Sequence, residues 1–358
     1  MEESMFDTTK PINQKQIIQI VPFYTNDGDF NVILAEAIRA ETGIVSRLIN
    51  YKSLRNMDDP RVLSSLITPD CLGVLLHYNC RHYDVPHWLL RVLQYLTKTR
   101  DFQLIILVHE FSATYTRKGI IFPAFRFLLT SYQILRLADS IVTTTSRIEN
   151  IVSRLTGKTE VICLPNFSTM GEPQCIPPLK ERPPYLIVFG SQHTRPLVYT
   201  KFSKNLLKAC RALGIERIYD VGYPCDLSTT EGQFKGIEIV PMGFQSNQVV
   251  SELMLTSRGG FLDYSRFPRD LGKSTVFAAY AAHGLVPVLT DYNPSEADGV
   301  ENNKHYLVAD ENLSSLDLSQ LQQIADNAHR WYQDHNLIKV AKFYGSYFNP
   351  EVKPDFGN

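Results

Sequence analysis

The stretch GGFLDYSRFPRDLGKSTVFAAYAAHGLVPVL, Gly259 to Leu289, reads as strand, loop, helix and strand. Gly259–Leu262 and Val286–Leu289 are apolar runs of strand length. Between them, Lys273–His283 predicts a helix, with Ser and Thr at its start and Gly284 just past its end. Strand, crossover helix and strand make a parallel βαβ unit, whose sheet is covered on both faces. The small side chains of Ala278, Ala279, Ala281 and Ala282 suit a helix lying close to its sheet.

The same alternation extends from this unit in both directions. In the second half it predicts strands at Tyr185–Phe189, Arg217–Val221, Gly236–Pro241 and Tyr306–Val308, with helices at Tyr199–Leu213, Ser246–Thr256 and Leu316–Asp334. In the first half it predicts strands at Gln16–Pro22, Gly43–Leu48, Leu72–His77, Leu104–His109, Ser140–Thr144 and Val161–Leu164. The helices there are Phe30–Thr42, Pro86–Thr99, Phe122–Ala138 and Ser146–Leu155. Pro165, Pro173, Pro177, Pro178, Pro183 and Pro184 crowd the join, which can be neither helix nor central strand. The expected division is therefore an N-terminal Rossmann-like domain over 1–172, a proline-rich linker over 173–184, a second such domain over 185–330 and a closing segment over 331–358. Such an α/β chain, with two doubly wound parallel sheets, is expected to bind ligands in a cleft at the carboxyl ends of its strands.

Composition narrows the function. The 358 residues are 44% hydrophobic with a net charge of −1, so two full cores are affordable and the broad positive field that nucleic acid needs is missing. Contact with anionic lipid is limited to a local patch such as Arg117, Lys118 and Arg126. Cys71, Cys80, Cys163, Cys175, Cys210 and Cys225 are scattered without metal-ligand spacing and read as reduced, mostly buried residues. The polar start MEESMFDTTKPINQKQ and the lack of an 18-residue apolar run point to the cytoplasm.

Four segments carry chemistry. Asp27-Gly28 ends the first strand at a turn where a ligand can approach the backbone at a helix start. His109, at the end of its strand before Glu110, is placed to hydrogen-bond a sugar or phosphate or to move a proton. Gly190 and Ser191 follow the first strand of the second half, and Arg195 offers a planar fork of donors to a diphosphate. Lys273, Ser274 and Thr275 sit where an ammonium and a helix dipole both favour an anion. Gly272-Lys273-Ser274 is not a Walker A loop, because Phe267 stands where that motif requires glycine. No G-x-G-x-x-G follows either leading strand, which argues against a nicotinamide oxidoreductase. Aromatic and basic residues near the first domain's strand ends, among them His77, Tyr78, His82 and Tyr115, are candidates for an acceptor site.

Together the segments resemble family 4-like GT-B glycosyltransferases. The likeness runs through the loop at Gly28, His109-Glu110, Ala138–Ser146, Leu164–Ser168, Gly272–Val288 and Asp298–Leu307. It implies a UDP- or GDP-sugar held mainly by the second domain, with Arg195, Lys273 and Ser274 near the diphosphate and His109 near the transferred sugar. The acceptor is implied to be a hydroxyl on a glycan, lipid-linked or small molecule. Metal is not expected, since helix N-termini with Arg and Lys can neutralise the leaving group. No cofactor is expected beyond the nucleotide sugar. The segment Trp331 through Phe348 looks like the helix that in this family crosses back to the first domain. The family often carries a spaced pair of glutamates at the donor sugar, whereas the alanine-rich helix here reads Phe277-Ala-Ala-Tyr280. Asp263, Tyr264 and Glu301 are the candidates to stand in for them. The alternative is a non-catalytic subunit that binds a partner glycosyltransferase or a glycan. A protein partner or a homodimer is among the expected partners.

Overall fold

The computed structural model describes residues 14–22, 29–55, 67–79, 86–99, 103–111, 122–158, 160–192, 194–224, 233–265, 270–290 and 298–351. Gly28, His82, Tyr115, Arg117 and Lys118 lie outside the described residues, as does the Arg126 side chain.

The first sheet is built from β1 (Gln16–Val21), β2 (Val45–Asn50), β3 (Cys71–Asn79), β4 (Gln103–Glu110), β5 (Ser140–Thr143) and β6 (Val161–Cys163), in the order β2-β1-β3-β4-β5-β6. The second contains β7 (Tyr185–Phe189), β8 (Arg217–Val221), β9 (Glu238–Gly243), β10 (Gly259–Leu262), β11 (Val286–Leu289) and β12 (Leu307–Val308), in the order β12-β11-β10-β7-β8-β9. Pairing is parallel in both. The strands read as unbroken apolar runs because both faces are covered, and all of Val74 to Leu76 and Leu104 to Val108 are buried. Strand order reverses between β1 and β3 in the first sheet and between β7 and β10 in the second. These reversals are the switch points where α/β sheets open a crevice.

The helices are α1 (Phe30–Thr42), α2 (Tyr51–Arg55), α3 (Pro86–Thr99), α4 (Phe122–Leu137), α5 (Ser146–Thr156), α6 (Arg195–Tyr199), α7 (Ser203–Ala212), α8 (Asn247–Leu255), α9 (Thr275–Ala282), α10 (Leu318–Gln333) and α11 (Leu337–Phe348). Three sequence expectations need correction. The helix expected over Tyr199–Leu213 is two helices, broken at Thr200–Phe202. The helix expected from Lys273 starts at Thr275, because Ser274 is the residue that caps it, its Oγ accepting from the backbone N–H of Phe277. Trp331 belongs to α10, and the closing helix begins only at Leu337. The cysteines differ too: of those described, Cys210 is buried, Cys71 and Cys163 are half-buried and Cys175 is exposed.

The chain divides into two compact units, one of Met1–Val142 with Ala341–Asn358 and one of Thr143–Val340. In unit 1 the C-terminal helix α11 packs on elements from the start of the chain. Gly345 lies against Thr42, and the Phe348 ring lies so close to Gly73 that a Cβ there would come within 2.5 Å of it. In unit 2 the proline-rich segment is part of the packed structure. Leu179 is fully buried, its N–H donating to Gln322 Oε1 at 2.7 Å. Arg182 is buried as well and donates to the carbonyl oxygens of Pro177, Ser257 and His283.

Beneath the second switch point, Tyr280 of α9 lies flat on Gly260 of β10, where a Cβ would meet the ring at 2.6 Å. Its hydroxyl accepts from the N–H of Phe189 at 3.2 Å and donates toward the carbonyl oxygens of Phe261 (3.2 Å) and Ile187 (3.4 Å), linking β7 to β10. Gly260→Ala is expected to lower the unfolding free energy of unit 2 by about 1–3 kcal/mol through overpacking. Tyr280→Phe is expected to lower it by a similar ~1–3 kcal/mol by leaving a buried N–H unpaired. Urea denaturation curves of both variants check this, and unchanged midpoints would show the contact to be dispensable.

Candidate functional site

At the first switch point the side chains converge on a buried polar chain. Gln19 of β1 and His77 of β3 are both fully buried, and His77 Nε2 lies 2.9 Å from Gln19 Oε1. The Gln19 amide NH2 donates in turn to Ser46 Oγ at 2.9 Å. On the other side, His77 Nδ1 lies 3.2 Å from His109 Nε2. The two imidazoles stack at 5.4 Å, 18° from parallel. Phe30, the first residue of α1, sets its ring edge-on to both. Asp29 holds that helix start in place, its carboxylate accepting from the Asn31 N–H at 2.9 Å. A β-bulge produces the His109 geometry. The β3–β4 register slips between Tyr78 and Asn79, so Tyr78 pairs with Val108 and Asn79 with Glu110. His109 is the extra residue, and such bulges re-aim side chains at sheet ends. Burial, and secondarily the neighbouring His109, hold the His77 imidazole well below its ordinary range, so it is neutral at pH 7.

His77 and Tyr78, expected on an acceptor surface, therefore do not reach solvent. Tyr78 is fully buried, with its hydroxyl 2.7 Å from Ser131 Oγ. His109 is half-buried at the strand end where the sequence puts it. Gln19 was not singled out from sequence, although a glutamine inside the run Gln16–Val21 is a polar residue in an apolar strand.

At the second switch point the first loop turns at Gly190, whose φ of +155° suits glycine. Ser191 is exposed, its Oγ 3.1 Å from Thr194 Oγ1. Arg195, expected to extend toward a diphosphate, is instead only 2% exposed and ion-paired with the buried Asp220 of β8. Gly222 leaves room for this guanidinium, since a Cβ there would sit 2.8 Å from Arg195 Nε. Asp263 follows β10 and is buried. Its Oδ1 accepts from the Ser265 N–H at 3.0 Å and from Thr290 Oγ1 at 2.9 Å. Its Oδ2 has no hydrogen-bond partner among the described residues. Tyr264 is also buried and donates to the Asp270 carbonyl at 2.7 Å. Glu301 is half-buried, on the Lys304 ammonium at 2.7 Å, which holds its carboxyl below the usual range.

The segment before α9 is secured by two carboxylates that sequence patterns do not single out. Asp270, fully buried, accepts from Arg147 and from Thr145 Oγ1. Asp298, at a φ of +61°, accepts from the Gly272 N–H at 2.9 Å and from both Ser146 N–H (2.7 Å) and Ser146 Oγ (2.9 Å). Burial raises the Asp298 carboxyl, and these hydrogen bonds work against that rise. Asn166 completes the strap, its Nδ2 donating to the Lys273 carbonyl at 2.7 Å. The backbone of Lys273 is thus fixed while its side chain is half-buried, and Ser274 and Thr275 open α9. Three surface depressions among the described residues, one of them lined by Lys180, Gln322, Asp326 and Arg330, share no residue with either cluster.

No family model matches the chain, and no curated protein matches it. Solved structures do. HepE from Anabaena, in complex with UDP and glucose, aligns over 94% of this chain and 100% of its own, with a TM-score of 0.60 at 10% identity. A glycosyltransferase from Rickettsia africae aligns over 94% and 99%, with a TM-score of 0.58 at 12% identity. WaaG, a glycosyltransferase involved in lipopolysaccharide biosynthesis, aligns over 93% and 99%, with a TM-score of 0.56 at 12% identity. At these identities the likeness is one of fold. The two Rossmann-like parallel sheets are those of the GT-B glycosyltransferases, as expected from sequence. No helix among the described residues is long and apolar enough to cross a membrane.

Burial makes the site and core sensitive to acid. It holds His77 well below its ordinary value, His283 at about 4 and His335 at about 3. Between these values and the unfolded pKa near 6.5, the unfolded chain takes up protons that the folded chain refuses, so stability falls as pH falls. Three such groups are expected to remove roughly 4 kcal/mol between pH 7.5 and 5.5. Urea denaturation at intermediate pH values checks the sign, and stability that rises on acidification over this range would contradict it.

Proposed function

We propose that the chain is a family 4-like glycosyltransferase moving a sugar, of the hexosyl kind, from a UDP or GDP donor to a hydroxyl acceptor without a metal. The observation that carries this reading is the shared fold over 94% of the chain with HepE, whose structure holds UDP and glucose. The residues supply suitable chemistry at the strand ends. Lys273 precedes the α9 N-terminus, where an ammonium and orphan backbone N–H groups favour a diphosphate. Asp263 carries a buried acceptor oxygen without a partner among the described residues, suited to a ribose or sugar hydroxyl. Ser191 offers an exposed hydroxyl beside the turn at Gly190. Arg195, tied to Asp220, supports that loop rather than neutralising the leaving group. His109 meets the sugar. Positioning and stabilisation of the departing diphosphate provide the acceleration.

One observation favours a second reading, a non-catalytic subunit that binds a partner protein or a glycan. Phe277 to Ala282 are all buried, so α9 offers no carboxylate to a donor. A thermal-shift titration with UDP, GDP, ADP and TDP separates the two. UDP or GDP at 100 times its dissociation constant is expected to add about 2.7 kcal/mol, roughly 5–10 °C of melting temperature. The shift is expected to be lost in Lys273→Ala. No shift with any nucleotide, together with no hydrolysis of UDP-glucose, would overturn the transferase reading in favour of the subunit.

A further inference from the structure

The buried chain at the first switch point does more than fill space. Gln19 donates through its amide nitrogen to Ser46 Oγ, so its carbonyl oxygen is the atom turned to His77. A carbonyl oxygen can only accept, so His77 must carry its proton on Nε2. Being neutral and protonated there, His77 has only a lone pair at Nδ1 to offer the next ring, 3.2 Å away. His109 must then donate from Nε2 to meet it. We propose that Gln19 and His77 are positioning residues that hold the His109 ring with its proton on Nε2, as the Nε2–H tautomer.

The effect on turnover expected below rests on the transferase reading above, but the tautomer itself does not. The geometry has the marks of a built device. Both partners are fully buried, the His109 ring is re-aimed by a β-bulge, and Phe30 braces both imidazoles edge-on.

The test uses the full chain labelled with 15N at histidine, and long-range 1H–15N correlation spectra without added nucleotide, with His109→Gln assigning the signal. His109 is expected as the Nε2–H form in the wild type. It is expected to shift to a mixed or Nδ1–H form in His77→Phe and in Gln19→Leu, and to stay Nε2–H in His77→Asn, whose Oδ1 can accept in place of Nδ1. Circular dichroism confirms folding, and Gln19→Leu decides the matter if His77→Phe does not fold. With a UDP- or GDP-sugar, kcat is expected to drop about 10- to 100-fold in the two disruptive variants with little change in KM, and to recover in His77→Asn. An Nδ1–H wild type, or a tautomer indifferent to Gln19 and His77, would overturn the proposal. Coupled tautomers without any turnover of nucleotide sugar would uphold the positioning and overturn the transferase reading instead.

Discussion

The second sheet depends on one aromatic ring lying on one glycine. Tyr280 can touch β10 only because Gly260 has no side chain, and its hydroxyl bonds the backbone of β7 and β10 at the point where strand order reverses. Parallel strands that part at a switch point lose ladder partners, and a buried unpaired amide is costly. Tyr280 supplies such a partner from its side chain, its hydroxyl accepting from the Phe189 N–H. The same packing explains why this helix carries no carboxylate. Every position from Phe277 to Ala282 faces the interior, where an unpaired glutamate would be desolvated without compensation. This helix is committed to holding the sheet together.

The helix α9 is clamped at both ends by charge. At its start Ser274 caps the first turn and Asp298 ties the preceding glycine. At its end the buried Arg182 guanidinium donates to the His283 carbonyl, matching a cation to the negative end of the helix dipole. Burial brings Arg182 down to about 10, still far above physiological pH, so the clamp keeps its charge. Arg182 comes from the proline-rich segment, which explains how a stretch without regular secondary structure is nonetheless anchored. Its backbone groups are met by side chains such as Gln322, and its own side chains bond the carbonyls of other elements.

The elements were legible where burial on both faces made long apolar runs, and Phe30–Thr42, Pro86–Thr99 and Gly259–Leu262 have the bounds that their patterns predict. Boundaries drifted where caps rather than hydrophobicity decide them. Lys273 looks helical by composition, yet Ser274 is the residue whose side chain closes the first turn. The site was less legible because residue type and strand-end position report reach, not partner. Arg195 and His109 follow strands in the same way, but an aspartate on β8 draws Arg195 inward while a bulge turns His109 toward His77. Gln19, Asp270 and Asp298 act through contacts with distant segments, and no local pattern encodes those. What periodicity conveys is which residues are inside; which of them meet is set by register and topology.

The return of the C-terminal helix has a consequence for how the protein is made. Unit 2 is a continuous run from Thr143 to Val340, whereas unit 1 draws on both the first 142 residues and the segment from Ala341 onward. A chain emerging from the ribosome therefore has all of unit 2 before it has the residues that cover Gly73 and Thr42. The part synthesised first is the part completed last. Until Gly345 and Phe348 arrive, Thr42 of α1 and Gly73 of β3 lack the contacts that cover them in the finished protein. The early half of the chain is thus the half with the longest wait and the greater need for protection from aggregation during synthesis.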